Sequence, residues 1–434
     1  MKKIAIALVL CMVVASTTMA QVPLPVNAQD GPIMLVGGVA HLGNGQVIQN
    51  SAIGFDKGII TIVADANNSE LSLDGYEVIK IDGKHVYPGF ILPNSQVGLT
   101  EVSSIRAMSD FNEHGELNPN VRSIISYNTD SEFIPTLRFN GILLAESTPI
   151  GGRISGTSSV MEMEGWNWED AAHTVDMGIH LNWPVKMVSM LDVTTSTLKL
   201  EPNEDYDEQT TELDRHFKDA VAYGNAPSKV INLKLDAMQG IFEGSQTLFL
   251  HTSSAMEIVE SVRFAQSYSV KKIVLIAGSN ALFVKDFLKD NEIGIIIPPT
   301  HRLPETPDAD VYGPYKLPGQ LVKAGLIVSL SHSGMLGHSR NLPFFAGTAA
   351  SYGLDKEEAL KMITSNTAKL LGIDKRVGTL ETGKDATLFV SEGDALDFRT
   401  NILNYAFISG KQITLNNKQQ ELFERYSRKY GHID

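Results

Sequence analysis

Four histidines stand at or just beyond the ends of short apolar runs, and imidazole is the side chain that most readily holds a transition metal or moves a proton near neutral pH. TLFLH ends at His251, GIIIPPT runs into His301, LIVSLSH ends at His332, and His338 follows six residues later. Three imidazoles and a water make a catalytic zinc sphere, so a single Zn or Fe drawn from His251, His301, His332 and His338 is one chemistry these positions allow. The plainer alternative makes His251 an interior residue and leaves His301 and His338 as solvated loop residues. His332 is also a candidate base, with Ser331 and Ser333 beside it. Adjacent strand residues point apart, however, and no acid is placed to complete a triad. Glu101, Glu146 and Glu162 each follow an apparent strand and are candidate acids, or else salt-bridge and loop residues. Trp166 and Trp168 in GWNWEDA and Trp183 in HLNWP either line a pocket or pack a long loop.

Such side chains work together only if the strands that carry them end side by side. From His251 onward, TLFLH, KIVLIAG, GIIIPP and LIVSLSH are apolar runs of strand length separated by helical or looped spacers, the pattern of parallel strands buried on both faces. In SSAMEIVESVRFAQSYSV, Ile258, Val259, Val262 and Ala265 share a helical face, and Asp355 with Glu358 opens a predicted helix KEEALKMITSNTAKLL. YPGFILP and GILLAES read as strands; GGRISGTSSVMEMEG reads as a strand or a loop excursion. Repeated β-then-α units over this length favour an eight-fold barrel. No G-x-G-x-x-G follows a strand and no Walker loop occurs, which argues against a nucleotide-binding sheet.

At 434 residues the chain exceeds one ordinary core. Short runs with glycine turns at residues 33–87 and again at 377–415 read as antiparallel β structure, and together they predict one small β-sandwich. Residues 88–376 then form the inserted barrel and 416–434 a polar surface helix or tail. Lys2 and Lys3, the run IAIALVLCMVVA and the small residue Ala20 have the form of a secretory leader over residues 1–20. That predicts a periplasmic or secreted protein. Cys11 is the only cysteine and lies inside the leader, so the mature chain has no disulfide and no thiol chemistry. Removing the two lysines takes the formal charge from -14 to -16. Such a surface disfavours nucleic acid and anionic lipid, and no later run is long enough to span a membrane.

HVYPGFI, the segment ending TSNTAKLLGI, and RVGTLETGKDATLFV together resemble the amidohydrolase superfamily, closest to its imidazolonepropionase-like branch. The resemblance implies a distorted (β/α)8 TIM barrel with a small β-sandwich formed from both chain ends. It also implies hydrolysis of C–N bonds by metal-activated water at the carboxyl ends of the strands. Carried over position by position, the metal ligands are mostly replaced. The first strand's H-x-H falls on Asn94 and Gln96, and the sixth strand's histidine on Ala277 or Gly278. The fifth strand keeps His251, while the eighth strand's aspartate falls on His332. Carboxamides are weak zinc ligands and alanine is none, so the family's ordinary water activation is not expected. Two classes of function follow. One is a catalytically silent barrel, with no cofactor, that binds a small molecule or pairs with itself or with an active paralogue. The other is a hydrolase of a cyclic amide or dipeptide-like C–N bond whose metal has moved to the four histidines.

Overall fold

The computed structural model describes residues 24–68, 71–102, 104–192, 197–226, 230–304, 306–332 and 334–433. The leader, Cys11 and Ser333 lie outside the described residues. Eight strands form one sheet in chain order: Phe90–Ser95, Ile142–Ser147, Ile154–Glu162, Ala172–Asn182, Thr247–His251, Ile273–Ile276, Gly294–Ile297 and Val328–Leu330. They curl into a nearly closed barrel, as the alternation of apolar runs and helices predicts. The ambiguous segment GGRISGTSSVMEMEG is the third strand, and it departs from the regular pattern. It runs antiparallel to both neighbours, while the other strands share one direction.

The first and last strands are not paired with each other in the sheet. Instead, the Ile91 N–H donates to the Ile363 carbonyl at 2.9 Å and the Leu330 N–H to the Met362 carbonyl at 3.1 Å. Residues 362–364 thus fill the seam. This corrects the sequence reading of KEEALKMITSNTAKLL as one helix, because the structure divides it into Lys356–Lys361 and Ser365–Leu370. A continuous helix needs those carbonyls for amides four residues on; the barrel takes them first. Asp355 does cap the first piece, accepting from the Glu357 and Glu358 N–H groups.

Both chain ends meet in a six-stranded sheet, where His85–Pro88 lies between Leu388–Ser391 and Val39–His41. A four-stranded sheet from the N-terminal part faces a second apolar cluster that includes Leu35, Ile53, Phe55, Leu388 and Phe407. The chain steps from this region into the barrel at Gly89. A Cβ there would lie 2.9 Å from Thr387 and 3.0 Å from Leu143, so the close approach of sheet and barrel requires glycine. The helix Lys418–Lys429, capped by Asn417, lies on the surface as its polar sequence predicts. Among the described residues no helix is long and apolar enough to cross a membrane.

Candidate functional site at the barrel mouth

Because the parallel strands share a direction, their carboxyl ends form one rim, the usual place for chemistry in such barrels. The first strand reaches it through a bulge. Leu92 pairs with Ala145 and Ser95 with Ser147, so three steps on one strand match two on the other. Asn94 takes the left-handed φ of 49° at this bulge. That turn aims its backbone N–H at Glu146 Oε2, 2.8 Å away.

Glu146 is fully buried. Its Oε1 accepts the Ser158 hydroxyl at 2.8 Å and lies 3.1 Å from His180 Nε2. Ser158 Oγ is itself 2.9 Å from the same nitrogen. On the other side of the ring, His180 Nδ1 is 2.9 Å from His251 Nε2. Phe249 stacks on the His180 ring at 4.6 Å. One hydrogen-bonded line therefore crosses the first five strands from Asn94 to His251. Burial, and then the neighbouring His180 ring, hold His251 down at about 3 from its ordinary 6.5. It stays neutral at working pH and is a poor proton acceptor.

The other histidines gather elsewhere. His332 Nδ1 is 3.1 Å from Ser339 Oγ, and its ring stacks on Phe345 at 5.9 Å with His338 at 6.1 Å. His301 Nε2 is 2.7 Å from Thr348 Oγ1, and its ring meets the same Phe345 at 4.9 Å. Burial holds both His332 and His301 below the usual imidazole range, with His338 adding to the effect on His332. So His301 and His332 share Phe345, His338 adjoins His332, and His251 pairs with His180 instead. Among the described residues, no group of three or more His, Cys, Asp or Glu side chains is arranged to hold a metal ion.

The donor chemistry agrees. Both His180 nitrogens and one of His251 are already engaged. Asn94 and Gln96 offer carboxamides, and buried Ala277 offers no ligand. These residues do not fit a zinc or iron centre.

Three polar atoms just beyond strand ends at this rim are buried and make no hydrogen bond: Gln96 Nε2, Thr148 Oγ1 and Thr252 Oγ1. They follow the first, second and fifth strands. Buried groups of this kind cost free energy unless something pairs with them.

Several sequence candidates fall away from it. The third strand runs backwards, so Glu162 lies at the opposite end of the barrel, where it accepts the Ser409 hydroxyl at 2.5 Å. Trp166 and Trp168 follow Glu162 to that far end. The first is 63% exposed and the second packs against the barrel core. Trp183 does sit beyond the fourth strand, but it is buried and donates to the Tyr206 hydroxyl at 3.2 Å. Glu101 lies in a loop, 3.4 Å from the Asn128 side chain. The Ser331 hydroxyl is spent on the Ile297 carbonyl at 3.1 Å. Sequence reasoning missed His180 and Ser158. The signal for His180 was present, since GIHLN has the same apolar–histidine form as TLFLH.

The amidohydrolase family model matches residues 319–415, less than a quarter of the chain. No curated protein matches the sequence. Among solved structures, the fold is similar to an amidohydrolase from Thermotoga maritima MSB8, with a TM-score of 0.73 at 19% identity, covering 88% of this chain and 99% of that one. It is also similar to a prolidase complexed with N-methylphosphonate-L-proline, with a TM-score of 0.54 at 14% identity, covering 88% and 99%. Molinate hydrolase gives 0.52 at 14%, covering 89% and 95%. At these identities the likeness is one of fold.

Proposed function

We propose that this chain is an exported, amidohydrolase-like protein of a C–N-hydrolysing lineage that does not run the metal–water reaction. In this reading it holds a small neutral amide, a cyclic amide or dipeptide-like compound, at the barrel mouth, alone or as a partner subunit. The observation that carries the reading is the closure of His180 and His251 on buried Glu146. It uses internally the imidazole nitrogens that a metal would need. The polar groups left over, Gln96 Nε2 and the hydroxyls of Thr148 and Thr252, are uncharged. They match amide carbonyls and N–H groups better than an anion.

The test is metal content by plasma mass spectrometry on residues 21–434, purified without chelator and then incubated with Zn²⁺, Fe²⁺ or Mn²⁺. His251→Ala and His332→Ala run beside it, and thermal shifts are recorded against a panel of cyclic amides and dipeptides. The expected result is less than about 0.1 metal per chain, with a thermal shift from at least one amide that Gln96→Leu removes. Near-stoichiometric metal lost in both histidine variants would replace this reading with a hydrolase whose metal has moved.

A further inference from the structure

The helix Lys418–Lys429 shows its apolar side to water. An amphipathic surface helix ordinarily buries its apolar stripe and exposes its polar one. Here Asn417, Gln420, Glu424 and Ser427, which share one helical face, lie against the body. Leu422, Phe423, Tyr426 and Tyr430 point outward, with Phe423 62% and Tyr430 65% exposed. Cations flank this stripe. Lys418 is spent on Glu132 at 3.1 Å, but Arg425 and Lys429 make no ion pair among the described residues. Lys429 Nζ lies 5.2 Å from the Tyr430 ring and 5.9 Å from the Tyr426 ring, and the Arg425 guanidinium is 5.9 Å from Tyr426. The helix's own carboxylates lie nearer the body, where Glu421 accepts from the Asn416 side chain at 2.9 Å and Glu424 from the Gln420 side chain at 3.2 Å.

We propose that this stripe docks on an anionic lipid bilayer, with the helix lying in the plane of the interface. Aromatic rings beside basic side chains are what settles at headgroup depth, the rings at the acyl boundary and the cations on the phosphates. Each cation held near an anionic surface adds to the attraction. The helix of 12 residues offers about 18 Å of contact. The formal charge of -14 opposes this only at long range, because physiological salt screens charges beyond about 8 Å. A second copy fits the stripe less well. An antiparallel pair of these helices about a two-fold axis sets each cationic flank against itself, like charge on like. The start of the chain also favours a bilayer. Leu24 is exposed and lines one cavity with Lys418 and Glu421, and the apolar run IAIALVLCMVVA ends nine residues before it. Nine extended residues reach about 30 Å, so a bilayer that holds this run lies within reach of the helix. The inference is independent of what the barrel mouth binds.

Flotation of residues 21–434, which lack the apolar run, with vesicles of phosphatidylglycerol and phosphatidylcholine in equal parts tests it, beside vesicles of phosphatidylcholine alone. The expected result is binding to the first that weakens as salt rises, and little to the second. Phe423→Ser with Tyr430→Ser is expected to abolish binding and leave the urea midpoint unchanged, since both side chains already face water. Arg425→Glu with Lys429→Glu is expected to lower binding by about tenfold or more, while Arg425→Lys keeps it. No binding to either vesicle overturns the proposal. So does binding indifferent to the serine changes, which would place the contact elsewhere, or binding equal on both vesicles, which would leave the cations no role. A wild type that is dimeric by sedimentation velocity in lipid-free buffer, and monomeric with the serine changes, overturns it in favour of a second copy on the same stripe.

Discussion

Glu146, His180 and His251 inside the barrel repeat the arrangement that Glu357, His41 and His85 make between the barrel and the small sheets. In the barrel the steps from carboxyl to first imidazole to second are 3.1 and 2.9 Å; at the junction they are 2.7 and 3.0 Å. Each middle imidazole stacks on an aromatic ring, Phe249 for His180 and Tyr87, at 4.5 Å, for His41. Each terminal imidazole is held below its usual range by burial first and by its partner ring second. The junction copy lies between the helix Lys356–Lys361 and the strands Val39–His41 and His85–Pro88, where it ties sheet to barrel. A carboxyl–imidazole–imidazole line is therefore a cross-link this fold uses twice, and its presence alone is no sign of catalysis. What sets the barrel copy apart is its place at the strand ends, beside the unpartnered Gln96, Thr148 and Thr252.

The two copies differ most in burial. The Glu146 and His180 side chains are 0% exposed, against 16% and 10% for Glu357 and His41. Removing one partner of a buried hydrogen-bonded pair leaves the others without theirs. Glu146→Ala takes its acceptor from the Asn94 N–H and leaves His180 Nε2 and the Ser158 hydroxyl only each other, and is expected to cost about 2–3 kcal/mol of stability. The midpoint of urea unfolding measures it. A loss under about 1 kcal/mol would mean that the barrel line is replaceable by solvent, and the comparison would collapse.

Acid gives the second test. His251 takes up its proton near 6.5 when unfolded but only near 3 when folded. Between those values the unfolded chain binds the extra proton. Stability is therefore full above about pH 6.5 and falls as pH drops, with a slope approaching about 1.4 kcal/mol per unit from this group. It stops falling below about pH 3. His251→Phe is expected to flatten the fall between pH 6.5 and 4 in a series of urea midpoints. Some slope remains, because His85, His301 and His332 are also held low. An unchanged slope would show that His251 titrates normally.

How far the sequence reached depended on the kind of interaction. The barrel and the composite small sheets were legible because apolar runs and glycine turns repeat at the spacing of buried strands. The seam was not, since hydrogen bonds from Ile91 and Leu330 override a segment whose local pattern is helical. At the site, the carboxamides at Asn94 and Gln96 and the lack of a donor at Ala277 were readable one position at a time. What Asn94 does there was not. Asn94 acts through a backbone N–H that a bulge turns toward Glu146, and no alternation of side chains announces a bulge at Pro93–Asn94. The reversal of the third strand was equally hidden, and it alone moved Glu162, Trp166 and Trp168 to the wrong end.

The smallest effect belongs to the junction, and it decides whether burial or geometry sets the value of such a line. Glu357 accepts from His41 through one oxygen, while its other oxygen, though buried, has no partner. It also lies in the first turn of the helix Lys356–Lys361, where a negative side chain favours the helix by about 0.3–1 kcal/mol. Glu357→Gln keeps an oxygen within reach of His41 and removes only the charge. The expected cost is about 1 kcal/mol, because a single donor loses a charged acceptor and the Glu357 side chain is 16% exposed. The companion change Glu146→Gln, shape for shape the same, is expected to cost at least about twice that, since three donors inside the barrel lose a charged acceptor with no water to replace it. If the two glutamines cost the same, distance alone fixes the strength of the line, and the barrel site owes nothing to its dryness.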